Sequence, residues 1–237
     1  MPWHSSKRSD PVMGLLRWFK RKKQSRGHGV HSPFAFELIT KVLRSPHAYY
    51  AFSEIPAMLR ECGLDPGLVT PFNHLSFRLL RHFNPRHVLE INPGKRINTL
   101  FLREGAPDAR YTCFETDPAS LSFARMLHTY REETWQDGRR HDGTRAPRFV
   151  SSFPPPREGS FDAIFLYLDN AAAPPVEALL ELGHEGGFWV IHPIRKGAGK
   201  QFWSKIVNEE NIKVTFDMKD TGVVFLDPSL TPARYFV

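Results

Sequence analysis

The segment HVLEINPGKRINTLFLR, residues 87–103, decides how the rest of the chain is interpreted. Its first five residues form a short apolar run that follows Pro85, which is typical of a buried β-strand. The polar turn NPGKR separates this run from INTLFLR, which has the character of a helix. A strand, a glycine-containing turn and a helix in this order predict the first unit of an α/β domain.

The stretches that follow repeat this alternation. Further strands are predicted at RYTCFE (110–115), RFVSS (148–152), FDAIFLYL (161–168) and FWVIH (188–192). Helices are predicted from Asp117 onward, between Pro174 and Leu182, and around KQFWSKIV (200–207). The closing runs IKVTFDM (212–218) and VVFLD (223–227) are typical of an antiparallel pair. This order predicts a Rossmann-like doubly wound α/β sheet of seven strands, mostly parallel with a terminal antiparallel strand, preceded by N-terminal helices.

Composition divides the chain into three segments. Residues 1–26 form a basic segment, residues 27–84 a helical N-terminal cover, and residues 85–237 the α/β domain, and we expect 27–237 to form one compact unit. The first segment holds eight basic residues and one acid, whereas the remainder holds 24 of each. The net charge of +7 therefore belongs to the first segment. A neutral body argues against nucleic acid as a partner.

The basic segment has two interpretations. Residues 11–26 combine apolar side chains with a cluster of lysines and arginines, a pattern that can lie on an anionic membrane surface. The same residues can form a helix that packs on its own domain or frays. The two cysteines, Cys62 and Cys113, give no disulfide framework, and neither a signal peptide nor a transmembrane run is apparent. A cytoplasmic location is therefore expected.

Polar residues follow the second and third strands, where doubly wound sheets bind ligands. Glu115 is placed to accept hydrogen bonds from both hydroxyls of a ribose. Asp117 either adds to this site or caps the helix that begins at Pro118. Ser152 either donates to an adenine nitrogen or bonds only to the local backbone.

The stretch VLEINPG, residues 88–94, resembles the first motif of class I S-adenosylmethionine (SAM)-dependent methyltransferases. The resemblance extends through RGHGVHSPFAF (26–36), FNHLSFRLLRHFNPRHVLEI (72–91) and VTFDMKDTGVVFLDP (214–228), and it points to a bacterial group of small-molecule O-methyltransferase-like proteins. It implies SAM as cofactor, with Glu90 at the acidic position of the motif and Asn92 where the family usually has glycine. Gly94 is the glycine that remains, and Lys95 and Arg96 add bulk and charge beside it.

The resemblance also bears on the metal and on the catalytic groups. Metal-dependent members carry an Asp where this chain has Tyr167, and often an Asp pair where it has His192 and Pro193. The implied site therefore lacks the oxygen donors that Mg²⁺ prefers, and no metal is expected unless Asp169 supplies one. His192 and His31 are the candidate groups for removing a proton from the acceptor.

Two functions are consistent with these observations. The first is a SAM-dependent methyltransferase that acts on a small-molecule acceptor, and the resemblance implies that it could form a homodimer. The second is a catalytically inactive protein of the same fold that serves as a binding or interaction module, for which the altered motifs argue.

Overall fold

The protein is described by a computed structural model over residues 11–94, 97–123, 126, 147–154, 161–169 and 171–237. The N-terminal part is helical. Its α-helices are α1 (Pro11–Gln24), α2 (Pro33–Glu37), α3 (Ala51–Glu61) and α4 (Pro71–Phe83), with a π-helix at Leu38–Leu43 and a 3₁₀ turn at Pro66–Leu68. Within the described ranges, none of the helices has the length and apolar character needed to cross a lipid bilayer.

The ends of these helices have the capping residues that the sequence provides. Ser32 accepts a hydrogen bond from the Ala35 N–H at the start of α2, with a proline at the first helical position. Thr70 and Asn73 form a capping box at the start of α4. Asn84 ends α4 in the left-handed conformation.

The remaining chain alternates strands and helices. The strands are β1 (His87–Ile91), β2 (Arg110–Phe114), β3 (Arg148–Val150), β4 (Phe161–Tyr167), β5 (Gly183–His192), β6 (Val214–Asp217), β7 (Gly222–Phe225) and β8 (Ala233–Phe236). The helices are α5 (Ile97–Gly105), α6 (described over 118–123), α7 (Val176–Leu182) and α8 (Gly197–Ile206).

All eight strands form one sheet in the order β3-β2-β1-β4-β5-β7-β6-β8. Strand β7 runs antiparallel to β5 and β6, and the other pairs are parallel, which confirms the predicted mostly parallel sheet. The count of seven strands was one too low, because the edge strand β8 was not predicted. Its four residues are too few to show a period of two, and its pairing with β6 depends on contacts distant in sequence.

Alternate residues of the strands supply the two faces of the sheet. Val88, Phe165 and Val190 belong to a core shared with α2, the π-helix and α4. Leu89, Leu166 and Ile191 face the opposite side and pack with α7 and α8. Helix α2, the π-helix and α4 therefore cover one face of the sheet, and the carboxyl ends of the central strands meet at one edge.

Helix α1 lies against the edge strand β8 and attaches through polar side chains. The Gln24 side chain is buried, and its Oε1 accepts a hydrogen bond from the Phe236 N–H at 2.8 Å. The Arg21 guanidinium forms an ion pair with Asp217 of β6 at 2.7 Å. Lys20 lies over the Phe236 ring, 5.0 Å from its centroid. The described part of the basic segment therefore packs on its own domain, which was one of the two predicted alternatives.

Candidate functional site

The carboxyl ends of β1, β2, β4 and β5 form the candidate site. Strands β2 and β3 lie on one side of β1, whereas β4 and β5 lie on the other. The strand order therefore reverses between β1 and β4, and ligands of doubly wound sheets bind in the crevice at such a reversal. Five of the eight residues proposed from the sequence lie at or next to these strand ends: Asn92, Gly94, Glu115, Asp117 and His192.

The turn after β1 keeps a left-handed backbone at two positions. Asn92 has φ of 54° and Gly94 has φ of 56°. Asparagine is among the side chains that best tolerate this conformation, so Asn92 can replace a glycine without changing the path of the turn. The Asn92 N–H donates to the Phe114 carbonyl at 2.9 Å, and the Asn92 side-chain amide donates to the Tyr167 carbonyl at 3.4 Å. Asn92 thus connects β1 to the ends of both neighbouring strands.

The structure places Glu90 in the core instead of in the crevice. The residue has no exposed surface, and its carboxylate accepts hydrogen bonds from the Thr99 hydroxyl and from the Asn98 side chain at 3.3 Å. Asn98 in turn accepts a hydrogen bond from Asn73 at 3.1 Å. Glu90 therefore joins β1 to α5 and α4, and a direct contact with a cofactor would require it to leave these partners.

The Glu115 carboxylate lies at the crevice and holds the two strand ends together. One of its oxygens, Oε1, accepts hydrogen bonds from the N–H groups of Thr116 and Asp117, at 2.9 and 3.0 Å. The other, Oε2, accepts from the Gly94 N–H at 3.1 Å. Only 5% of the residue is exposed. Because a carboxylate has about four acceptor sites, Oε2 retains room for about one further donor.

Asp117 and Ser152 lie at the ends of the next two strands. Asp117 accepts a hydrogen bond from the Ser120 N–H at 2.9 Å and a second from the Ser120 hydroxyl at 2.7 Å. These hydrogen bonds lower the pKa of the Asp117 carboxyl. Asp117 therefore caps α6, which was the alternative to cofactor binding. Ser152 is exposed beyond β3, beside Phe153, whose ring packs on Phe114 at 5.4 Å.

Three rings cover the ends of β4 and β5. The Phe72 ring of α4 lies edge-on to Tyr167, with centroids 5.1 Å apart, and is stacked on His192 at 4.6 Å. The Tyr167 hydroxyl is buried near Asn98 without a well-formed hydrogen bond. Burial raises the pKa of this phenol well above its ordinary value, so Tyr167 is neutral. Phe72 was not singled out in the sequence, where it is one apolar residue among many on α4.

His192 is half-buried and has the properties of a neutral imidazole. Burial lowers the pKa of His192, and the nearby Asp220 and Asp169 carboxylates oppose this shift. Its Nδ1 lies 3.0 Å from the Thr221 hydroxyl. The ring also has a hydrogen bond with the Asp220 backbone. In the tautomer in which Nδ1 donates to Thr221, Nε2 carries the lone pair that can accept a proton.

A cavity of about 360 Å³ adjoins this imidazole. It lies between α4, the π-helix and the turn after β6. It is lined by both apolar and polar or charged side chains, among them Phe72, Leu75, Arg78, His192 and Asp220. Arg78 donates to the Val42 carbonyl at 2.9 Å.

The structure does not bring the other sequence candidates into this group. His31 is exposed and is absent from the lining of the His192 cavity. Asp169 is exposed and pairs with Lys196 at 2.6 Å. Among the described residues, no three His, Cys, Asp or Glu side chains are grouped so that they could hold a metal ion. Lys95 and Arg96 lie outside the described residues.

Several solved structures with the same fold are methyltransferases. No protein-family model matches the sequence, and no curated protein is significantly similar to it. The SAH-bound methyltransferase PaMTH1 of Podospora anserina superposes with a TM-score of 0.55 at 13% identity, over 96% of this chain and 98% of that one. The Bacillus cereus O-methyltransferase in complex with SAH gives 0.51 at 15% identity, over 76% and 92%. The O-methyltransferase TomG of Streptomyces achromogenes in complex with SAM gives 0.50 at 18% identity, over 76% and 91%.

These comparisons show that the chain has the fold of class I SAM-dependent methyltransferases. At such identities the likeness concerns the fold, and the activity has to be argued from the site.

Proposed function

We propose that this chain, with its class I methyltransferase fold, is a SAM-dependent methyltransferase that acts on a small-molecule acceptor. The observation that carries the proposal is the arrangement of the β1 and β2 ends. The left-handed turn at Asn92 and Gly94 faces a buried carboxylate, Glu115, that already accepts a hydrogen bond from the Gly94 N–H. This arrangement provides a path for the cofactor along the turn and an acid for its ribose.

The residues present fit an adenosine moiety. A Cβ atom placed on Gly94 would meet no atom of the described residues within 4 Å, chain neighbours aside, which supports space for a ligand beside the turn. Glu115 Oε2 can accept one ribose hydroxyl without losing a present bond, and a second one by exchange with the Gly94 N–H. Ser152 and Phe153 follow β3, the strand next to β2, and would lie beside the adenine.

The cofactor, when bound, would supply an electrophilic methyl group. The chain itself must orient the acceptor and remove its proton. His192 of β5 lies opposite Tyr167 of β4, and the Tyr167 carbonyl accepts a hydrogen bond from the Asn92 side chain. His192 therefore lies about two strand spacings, ~10 Å, from the β1 turn. This spacing allows an acceptor to lie between the cofactor edge and the imidazole, with Nε2 as the general base.

The size of the cavity beside His192, about 360 Å³, and its partly apolar lining suit a small organic acceptor more than a polymer. Phe72, Leu75 and Met218 contribute to this lining. We include a cytoplasmic location in the proposal. The free state of both cysteines, Cys62 and Cys113, supports it. The proposal does not involve nucleic acid, because the positive charge excess belongs to residues 1–26.

A second candidate function is supported by the rings over β4 and β5. If Phe72 keeps its contacts with both Tyr167 and His192, these rings block the route from the cofactor edge to the imidazole. The chain would then be an inactive protein of this fold that binds SAM or another nucleoside-containing ligand without transferring a methyl group.

Titration calorimetry with SAM and SAH tests the binding step. We expect saturable heat with both, and roughly tenfold or greater weakening in Glu115→Gln, since the hydrogen bonds to a charged acceptor are weakened. Asp117→Asn is the matched control, because Asp117 is exposed and caps α6. No heat with either ligand in folded protein would exclude the proposal.

Methyl transfer to a panel of small phenols, carboxylic acids and amines tests the catalytic step. His192→Gln should lower kcat while leaving the affinity for SAH unchanged, whereas His31→Gln should leave both unchanged. SAH binding without turnover on any acceptor would favour the inactive binding module.

A further inference from the structure

Over residues 16–24, whose side chains the structure describes, helix α1 is oriented opposite to the usual arrangement of an amphipathic helix on a domain. Such a helix normally buries its apolar face and exposes its polar residues. Here the polar residues Arg21 and Gln24 contact the domain, whereas Leu16, Trp18 and Phe19 are 60%, 52% and 50% exposed. The contacts made by Arg21 and Gln24 fix the rotation of the helix, so this exposure is a property of how α1 is attached.

The exposed apolar side chains form a local group. Six large apolar side chains are exposed among the described residues, and three of them belong to residues 16–19. A fourth, Phe36 of α2, is 48% exposed and packs against Gly27, just beyond the end of α1. The Trp18 and Phe19 rings are in edge contact, with centroids 4.9 Å apart, and clustered exposed apolar side chains mark interaction sites. We call Leu16, Trp18 and Phe19 the outer face of α1.

The charges around the outer face identify its partner. Lys22 and Lys23 are exposed on the same helix, and the Lys22 ammonium lies 5.2 Å from the centre of the Trp18 ring. The first 26 residues carry the whole net charge of +7. Tryptophan and phenylalanine beside lysines are the side chains that bind at the boundary between headgroups and acyl chains of an anionic bilayer. An apolar protein groove would not require this excess of positive charge.

We infer that α1 is a docking helix for membranes that contain anionic lipids. The outer face enters the boundary region of the bilayer, Lys22 and Lys23 pair with lipid phosphates, and Arg21 and Gln24 hold the rest of the protein at the surface. This inference is independent of the proposed methyl transfer, since none of these residues belongs to the candidate site.

Vesicle flotation of the full chain tests the inference. The full chain should float with vesicles of phosphatidylcholine and phosphatidylserine and remain at the bottom with pure phosphatidylcholine. Binding should fall as salt is raised, because the Debye length shortens. The double variant Trp18→Ser, Phe19→Ser should bind roughly tenfold to thirtyfold more weakly. Each aromatic ring would bury its exposed apolar surface in the bilayer, and serine has no such surface to bury. Lys22→Glu should weaken binding by at least about fivefold.

The chain provides matched controls for both changes. Tyr50→Ser removes an exposed aromatic ring, 77% accessible, that precedes α3. Arg60→Glu reverses an exposed charge at the end of α3. Both controls should float like the unaltered chain. Far-ultraviolet circular dichroism and thermal unfolding verify that every variant is folded.

Three results would overturn the inference: no flotation of the full chain with anionic vesicles, equal flotation of the Trp18→Ser, Phe19→Ser variant, or equal loss in Tyr50→Ser. A dimer in solution that dissociates on Phe19→Ser substitution, in a chain that does not float, would instead assign the outer face to a second copy of the protein.

Discussion

The ion-pair cluster at Asp217 attaches the N-terminal helix to the sheet, and its removal has a calculable effect. The Asp217 side chain is 11% exposed and accepts hydrogen bonds from Arg21 at 2.7 Å and from Arg195 at 2.8 and 3.1 Å. Its Oδ1 also accepts the Lys219 N–H at 2.9 Å. In Asp217→Asn the side chain keeps one acceptor oxygen and loses its charge, so two guanidinium groups lose their common anion.

The magnitude follows from the exposure of each partner. Arg21 is 20% exposed and Arg195 39% exposed, so solvent screens the second pair more than the first. A hydrogen bond between charged groups contributes about 1.5–3 kcal/mol when buried and about 0.5–1 kcal/mol when exposed. We therefore expect Asp217→Asn to lower the free energy of unfolding by about 2–4 kcal/mol, or Tm by about 5–15 °C for a chain of this length.

Urea unfolding followed by tryptophan fluorescence measures this loss. Arg21→Met should reproduce part of it, and the double variant should show a coupling of about 1 kcal/mol or more with Asp217→Asn. Arg26→Met, an exposed arginine two residues beyond α1, is the matched control. If the free energy of unfolding of Asp217→Asn is within about 0.5 kcal/mol of that of the unaltered chain, the attachment of α1 by this cluster is refuted.

Three further predictions concern the turn after β1, the end of α5 and His192. Asn92→Gly should cost at most about 1 kcal/mol, because glycine accepts the left-handed backbone but loses the side-chain hydrogen bond to the Tyr167 carbonyl, whereas Asn92→Val should lose about 1–2 kcal/mol more in urea unfolding; equal stability of the two would contradict the assigned φ. Gly105→Ala should cost about 1–3 kcal/mol, because its Cβ would lie 2.7 Å from the Phe77 carbonyl oxygen, whereas Gly186→Ala should be nearly neutral. Because the pKa of His192 is lower in the folded state, unfolding takes up protons below about pH 6.5, so stability should decrease as the pH falls from 7.5 to 5.5. His192→Gln should reduce that slope, and an unchanged slope would count against a buried neutral imidazole.

Local patterns predicted the elements whose stability depends on burial of short apolar runs. HVLEI was predicted as a strand and is β1, and FDAIFLYL was predicted as a strand and contains β4. The edge strand β8 was missed because parallel pairing with β6 is decided by contacts far apart in the sequence. The attachment of α1 could not be predicted for the same reason, since Arg21 and Asp217 are 196 residues apart.

The side of the sheet to which the Glu90 side chain points could have been predicted, because side chains along β1 alternate between the two faces. Val88 is in the core beneath α4, and residues two apart on a strand share a face, so Glu90 also points to that side. The Asn98 and Thr99 side chains that satisfy it follow in the next helix. By contrast, the hydrogen bond between Glu115 and the Gly94 N–H depends on the neighbouring positions of two strand ends, which the sequence placed only approximately.

A crystal structure of the protein grown with SAH tests the central claim most directly. We expect an adenosine beside Gly94, with a ribose hydroxyl within hydrogen-bond distance of Glu115 Oε2 and the adenine next to Ser152 and Phe153. A crevice at the β1 and β2 ends without SAH at saturating concentration, or SAH bound elsewhere on the chain, would contradict it.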